Sequence, residues 1–324
     1  MENKKALIIG IGGQDGYYLS NYLLSLKYDV YGISNVKPQD IDNRVEVKTI
    51  SIDDYNSVNA YISKINPHEI YNLASQSFIP ASWDNPMYTL NVNTNALLNI
   101  LDHISKNHIN TKIFQAASAE IFGDPIYSPQ DENHPITPRN PYGVSKAASY
   151  YLIKNYRKKY NIFACNGILY NHESPRRDYS FVTKKITTAA NIIAGNLPNT
   201  ITNSFGERIV EDDGKLHIGN IESLRDWGHA IDYVKAMHLM LQHECSDDYI
   251  VSTGRLHSVQ EFIELSFKRV GIDNWKDYLV IDERFYREKE KIDLVGNNTK
   301  ICNTLKWCPK YSLEDIVNDL VDNY

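Results

Sequence analysis

The sequence predicts an α/β chain, a doubly wound parallel sheet joined to a smaller mixed α/β lobe, and three observations carry that prediction. Short apolar runs alternate with helical stretches through the first half; the first run breaks off at a glycine cluster; and after Tyr170 the alternation gives way to polar and proline-rich turns. Strand–helix alternation with short connections is the pattern of a parallel sheet covered by helices on both faces.

Taken in order, residues 6–9 form an apolar run closed by Gly10, and leucines at helical spacing follow over 17–26. Residues 29–34 (DVYGIS), 69–73 (EIYNL), 112–116 (KIFQA) and 162–168 (IFACNGI) read as further strands, with helices expected around 55–64, 91–106 and 142–159 between them. Later, 231–242 reads as an amphipathic helix and 249–252 as one more strand. The expected division is a dinucleotide-binding domain over 1–166, with part of 216–252 packing back onto it, and a lobe made of 167–215 and 253–324.

Charge and composition narrow the function. The 324 residues carry 34 Lys+Arg against 40 Asp+Glu, a net charge of -6, so there is no basic surplus for a nucleic-acid backbone. No stretch approaches the roughly 18 apolar residues of a membrane span. The four cysteines (165, 245, 302 and 308) show neither a CxxC pair nor zinc spacing, as expected of reduced thiols in a cytoplasmic protein without metal.

Two motifs carry chemistry. Gly10, Gly13 and Gly16 stand at i, i+3 and i+6 between the first strand and the first helix. Glycines there let the backbone approach a pyrophosphate, and the helix start offers free N–H groups and a positive dipole end. This is the dinucleotide loop of a Rossmann-type fold. The second strand ends in Ser34-Asn35-Val36-Lys37, with neither the acid that favours NAD nor the arginine that favours NADP. The second motif is Tyr142 and Lys146, four apart and hence on one helical face, preceded by Pro138-Arg139-Asn140-Pro141. An ammonium beside a phenol favours phenolate, so the pair suits removal of a sugar hydroxyl proton. Ser118 and Glu120 follow the strand KIFQA at the end of the sheet where ligands gather. Simple oxidation or epimerisation needs no carboxylate at Glu120.

With GIGGQDG (10–16), EIYNLASQS (69–77), QAASAEIFG (115–123), PYGVSK (141–146), ACNGILYNHESPRR (164–177), FVTKKI (181–186) and RDWGHAIDYVKAM (225–237), the chain resembles the GDP-mannose 4,6-dehydratase family, nucleotide-sugar dehydratases of the extended short-chain dehydrogenase/reductase class. The resemblance implies catalytic roles for Ser118 (usually threonine in the family), Glu120, Tyr142 and Lys146. It implies a cofactor site of Gly10, Gly13, Gln14, Asp15, Gly16, Asn35, Leu73, Ala74 and Ser75 with Tyr142 and Lys146, and a nucleotide-sugar site of Ser77, Asn171, Glu173, Arg177, Lys185, Arg225 and Arg287. It further implies tightly held NADP or NAD and a GDP-sugar as substrate. The implied reaction is C4 oxidation, loss of water across C5/C6 and hydride return to C6.

The chain departs from the family in three places. Asn35 and Val36 replace paired arginines, a short link before Val45 replaces a long segment that joins dimers in relatives, and Ser51 stands where an aspartate is usual. A homodimer is expected through the helices around 91–106 and 142–159, with Tyr150, Tyr151 and Tyr156 on the exposed face. Competing functions consistent with the residues are a GDP-heptose 4,6-dehydratase, a nucleotide-sugar 4-epimerase or 4-reductase, and a non-catalytic nucleotide sensor.

Overall fold

The computed structural model describes residues 3–285 and 292–324. Its centre is a seven-stranded parallel sheet made of β1 (Lys5–Ile9), β2 (Asp29–Ser34), β3 (Glu46–Thr49), β4 (Glu69–Asn72), β5 (Lys112–Ser118), β6 (Ala164–Leu169) and a last strand, Asp248–Val251. From one edge the order is Asp248–Val251, β6, β5, β4, β1, β2, β3. The chain therefore runs outward from β1 to β3 and then returns to the other side of β1 at β4. That reversal opens a crevice at the carboxyl ends of β1 and β4, where an open α/β sheet binds its ligands. The doubly wound fold is the one the sequence predicts.

Alternation along β1 builds both faces. Ala6 and Ile8 pack with Leu19 and Leu23 of helix α1 (Gln14–Ser25) and with Met237 and Leu241 of the helix Ala230–Gln242. Leu7 and Ile9 point the other way, onto Val58 and Ile62 of α2 (Tyr55–Ile65) and Leu97, Ile100 and Leu101 of the helix Ala96–Lys106. Ile301 and Trp307 of the late chain also join the first of these faces. A separate core gathers Ile186, Trp227, Phe262, Phe267, Ile316 and Leu320 around three helices, Val182–Ile193, Val259–Arg269 and Leu313–Asp322.

Two differences from the sequence expectation bear on the site. The helix expected over 91–106 begins as a π-turn at Asn91–Asn95 before continuing as Ala96–Lys106. Such a bulge re-aims side chains, and here it turns Asn93 inward, where its Nδ2 donates to Ser145 Oγ at 2.9 Å. Second, Tyr150 is buried, not on an exposed face: it packs with Ala117, Ile168 and Ile250 beside the sheet, and Tyr151 is the exposed neighbour. Adjacent residues on a helix point about 100° apart, so only one of the two can face outward.

Candidate active site

The loop after β1 is shaped by what it cannot accommodate. Gly10 has φ +90, and a Cβ there would sit 2.7 Å from the backbone nitrogen of Ala74. A Cβ on Gly16 would sit 2.5 Å from Ile11 Cα and 2.6 Å from Gly10 O. The two glycines thus let the β1 loop lie against the β4 loop and let α1 start tight on β1. Gly13 is the N-cap of α1 and supplies no side-chain cap, so the first N–H groups of the helix face the crevice unclaimed by a side chain. This cradle fits a dinucleotide pyrophosphate. Gly10→Ala should lower stability by about 1–3 kcal/mol and release bound dinucleotide; urea unfolding and the absorbance of the purified protein would report the two effects.

Gln14 and Asp15, the polar residues of this loop, clamp the segment after β6. Gln14 Nε2 donates to His172 O at 3.0 Å, and its Oε1 accepts from Ser174 Oγ at 2.7 Å. His172 donates from Nδ1 to Tyr170 O at 2.8 Å and from Nε2 to Asp15 Oδ2 at 2.9 Å, and it stacks on Tyr233. A carbonyl and a carboxylate only accept, so both ring nitrogens carry protons and His172 is an imidazolium. Burial alone would discharge it; Asp15 outweighs that and holds its pKa above the ordinary value. Burial likewise pushes Asp15 up, but His172 and Gln14 prevail and leave it below the usual carboxylate value. The sign follows: the His172 contribution is lost as pH rises through its raised pKa, and the Asp15 contribution as pH falls through its lowered one. Asp15→Asn removes the carboxylate that outweighs burial, so His172 is expected to be neutral in the variant; stability at neutral pH should fall by about 1–3 kcal/mol and the alkaline limb of a stability–pH curve should flatten.

The candidate catalytic residues Ser118, Glu120, Tyr142 and Lys146 converge at the ends of β5 and of the helix Pro141–Tyr160. Asn140 caps that helix, with Oδ1 accepting from Gly143 N at 2.7 Å, while Pro141 fills the first helical position. The same Asn140 donates from Nδ2 to Glu120 Oε2 at 2.9 Å, so one residue starts the helix and orients the carboxylate. Tyr142 is buried, and burial pushes its phenol up to about 12; a hydrogen bond with Ser118 is the largest opposing effect, and Glu120 adds to the rise. Lys146, only 3% exposed, donates to Ala116 O at 2.8 Å and is lowered by burial to about 8. Its Nζ lies 5.7 Å from the Tyr142 ring. Within the protein alone, desolvation outweighs the Ser118 hydrogen bond and the Arg177 charge at Tyr142; the phenol needs further positive charge to become a base at neutral pH.

Beside the β1 loop, Gly12, Gly13, Gln14, Ser77, Arg177 and Phe181 share a cleft of about 630 Å³. Arg177 lies over the Phe181 ring at 3.6 Å. Glu173, expected to meet the nucleotide sugar, is instead buried behind Arg177. Its Oε2 lies 3.2 Å from Arg177 Nε, off-axis for a hydrogen bond, and accepts from Thr183 Oγ1 at 2.6 Å. Lys185 donates to His217 O at 2.8 Å, and Arg225 donates to Leu224 O at 2.6 Å. Asn171 and Asn35 are exposed. Leu73 and Ala74 lie beside Gly10, and Ser75 Oγ donates to Asn93 Oδ1 at 3.1 Å. Arg287 lies outside the described residues. Sequence reasoning missed two positioning residues, Asn93 and Asn140. Asn140 was findable from its place just before Pro141, an N-cap followed by a first-turn proline; nothing local marks Asn93.

A sequence profile described as GDP-mannose 4,6 dehydratase matches residues 7–320. The chain belongs to the GDP-mannose 4,6-dehydratase family. Its similarity to individual members is spread along its length. It is 41% identical over 338 residues to GDP-mannose 4,6 dehydratase 2 of Arabidopsis thaliana, covering 98% of this chain and 86% of that protein. It is 39% identical to the Dictyostelium discoideum GDP-mannose 4,6 dehydratase, covering 99% and 95%, and 35% identical to the human one, covering 98% and 90%. Among solved structures, a dTDP-glucose 4,6-dehydratase from Bacillus anthracis in complex with NAD superposes with a TM-score of 0.81 at 19% identity, covering 99% of this chain and 96% of that one. A UDP-glucose 4-epimerase from Bifidobacterium longum gives 0.83 at 18%, covering 99% and 98%. These two likenesses establish the fold that the family member shares, and no more.

Proposed function

We propose that this chain is a GDP-sugar 4,6-dehydratase converting GDP-mannose to GDP-4-keto-6-deoxymannose. The observation that carries the reading is Glu120, oriented by Asn140 beside the Ser118–Tyr142–Lys146 set in a chain that the family's profile matches over residues 7–320. A carboxylate at that place has work to do only if water is lost.

In this reading Gly10, Gly13 and Gly16 hold the pyrophosphate of a nicotinamide dinucleotide, NAD or NADP, and Lys146 its nicotinamide end. Once bound, the nicotinamide supplies the hydride acceptor for C4 and the hydride donor for C6, and adds the positive charge that Tyr142 needs. Ser118 orients the C4 hydroxyl, and Tyr142 takes its proton. The C4 ketone acidifies C5–H, which Glu120 removes. Glu120 then gives that proton to the C6 hydroxyl, which departs as water. The proton held by Tyr142 returns at C5, so the balance is the loss of one water and no net oxidation. Arg177 and Lys185 provide the cations for the diphosphate, together with Arg225 and Arg287.

Purified protein incubated with GDP-mannose and no added cofactor should yield a product lighter by one water in mass spectrometry. A substrate that stays unchanged, also after addition of NAD or NADP, would overturn the reading. We also propose a cytoplasmic homodimer, supported by the exposed Leu98, Val144 and Tyr151 on the two helices of one face; light scattering should give twice the chain mass.

A further inference from the structure

The segment between the helix Val182–Ile193 and the strand Leu216–Ile218 is absorbed by none of the roles above. Within it a short hairpin is built with care. Thr202 and Arg208 pair antiparallel, Asn203 N donates to Glu207 O at 2.8 Å, and Ile209 N to Ile201 O at 3.3 Å. Asn203 Oδ1 accepts from both Phe205 N and Glu207 N at 3.0 Å, and Gly206 makes the turn at φ +79. The tip so formed holds up one large apolar side chain, Phe205, which is 56% exposed.

Phe205 points along the mouth of the cleft. Its ring lies 5.0 Å from that of Phe78, which follows cleft residue Ser77, and Phe78 lies 5.8 Å edge-on from Phe181. Phe181 carries the Arg177 guanidinium, and Arg177 is close enough to Tyr142 to act on its charge. A row of contacts thus leads from the catalytic phenol to the hairpin tip. Ser204 Oγ donates to Asp178 of the cleft wall, and Glu207 lies near enough to Lys185 to act on its charge. Ser180 Oγ, two residues along the chain from wall residue Asp178, is buried without a hydrogen-bond partner among the described residues. An exposed ring beside a guanidinium and a buried free hydroxyl is what a site for a sugar joined to a diphosphate presents: an apolar face for the pyranose C–H groups, donors for hydroxyl and phosphate oxygens.

We infer that the Phe205 hairpin is the outer wall of the sugar–diphosphate subsite, and that Phe205, through its ring contact with Phe78, determines how well the sugar is held. The inference deepens the GDP-sugar reading and rests on it. Its position, reached from Tyr142 through Arg177, assigns it to the sugar end of the ligand and not to the base.

The test is calorimetric titration of the full chain and its F205A and F205Y variants with GDP-mannose and with GDP. F205A should weaken GDP-mannose binding about five- to tenfold while GDP stays within about twofold, and F205Y should restore the affinity. Unchanged affinities for both ligands, or equal losses for both, would overturn the inference, the second because it marks a hairpin that serves the base or the fold. Wild-type protein that binds GDP-mannose but forms no dehydrated product would remove the dehydratase reading alone, the F205A ratio still deciding the hairpin. Wild-type protein for which mannose adds nothing to GDP binding removes the wall as well.

Discussion

Glu120→Gln is expected to oxidise bound GDP-mannose at C4 and then stop, with the release of dehydrated sugar reduced about 10²–10⁴-fold. The substitution is nearly isosteric, and the amide oxygen of glutamine can still accept from Asn140 Nδ2, the contact that orients the side chain at 2.9 Å. The helix start is untouched, because Gly143 N donates to Asn140 and not to Glu120. Stability should therefore stay within about 0.5 kcal/mol of wild type, as for substitutions that remove no packing. What is lost is a group able to take the C5 proton and pass it to the departing C6 hydroxyl. Reduced nicotinamide should accumulate in the absorbance spectrum while mass spectrometry finds no product lighter by water. Full dehydratase activity in this variant would sink the assignment of Glu120.

Tyr142→Phe should fail one step earlier. Without the phenol no group takes the C4 proton, so neither reduced nicotinamide nor dehydrated sugar forms, and turnover falls about 10³-fold. The contrast between the two variants, one accumulating reduced cofactor and the other not, separates the two roles in a single pair of spectra. The protein environment makes Tyr142 dependent on its neighbours: burial raises it to about 12, and burial lowers Lys146 to about 8. Lys146 is a cation at neutral pH and loses its charge as pH rises through about 8, so its support of the phenolate fades above that value. Binding of GDP-mannose should survive in Tyr142→Phe, since the cleft residues Ser77, Arg177 and Phe181 are untouched. A variant that binds no GDP-mannose would point to a positioning role for Tyr142 instead.

Much of the site was legible because its chemistry is written in short spacings. A strand closed by Gly10, glycines three apart and a helix directly after them form one local unit, and Tyr142 with Lys146 lies within a single turn and a half of helix. Glu120 stood out for being chemically superfluous to any simpler reaction. The motif gave no sign that Glu173 is buried against Arg177 and Thr183, because packing, not sequence spacing, decides which way its carboxylate faces.

By itself, then, the sequence determined the doubly wound fold and singled out the Gly10–Gly16 loop and Ser118, Glu120, Tyr142 and Lys146 as candidate site residues, since each depends on residues close in the chain and on a strand or helix period. Only the tertiary structure decided which residues hold that set in place. Asp15 meets His172 across 157 residues and Asn93 meets Ser145 across 52. Tyr150 turns to the sheet and Tyr151 to the surface because one helix face is covered and the other is not. The Phe205 hairpin gains its place at the cleft from Phe78, 127 residues before it. Such pairings answer to packing and desolvation, which act through space and leave no period in the chain.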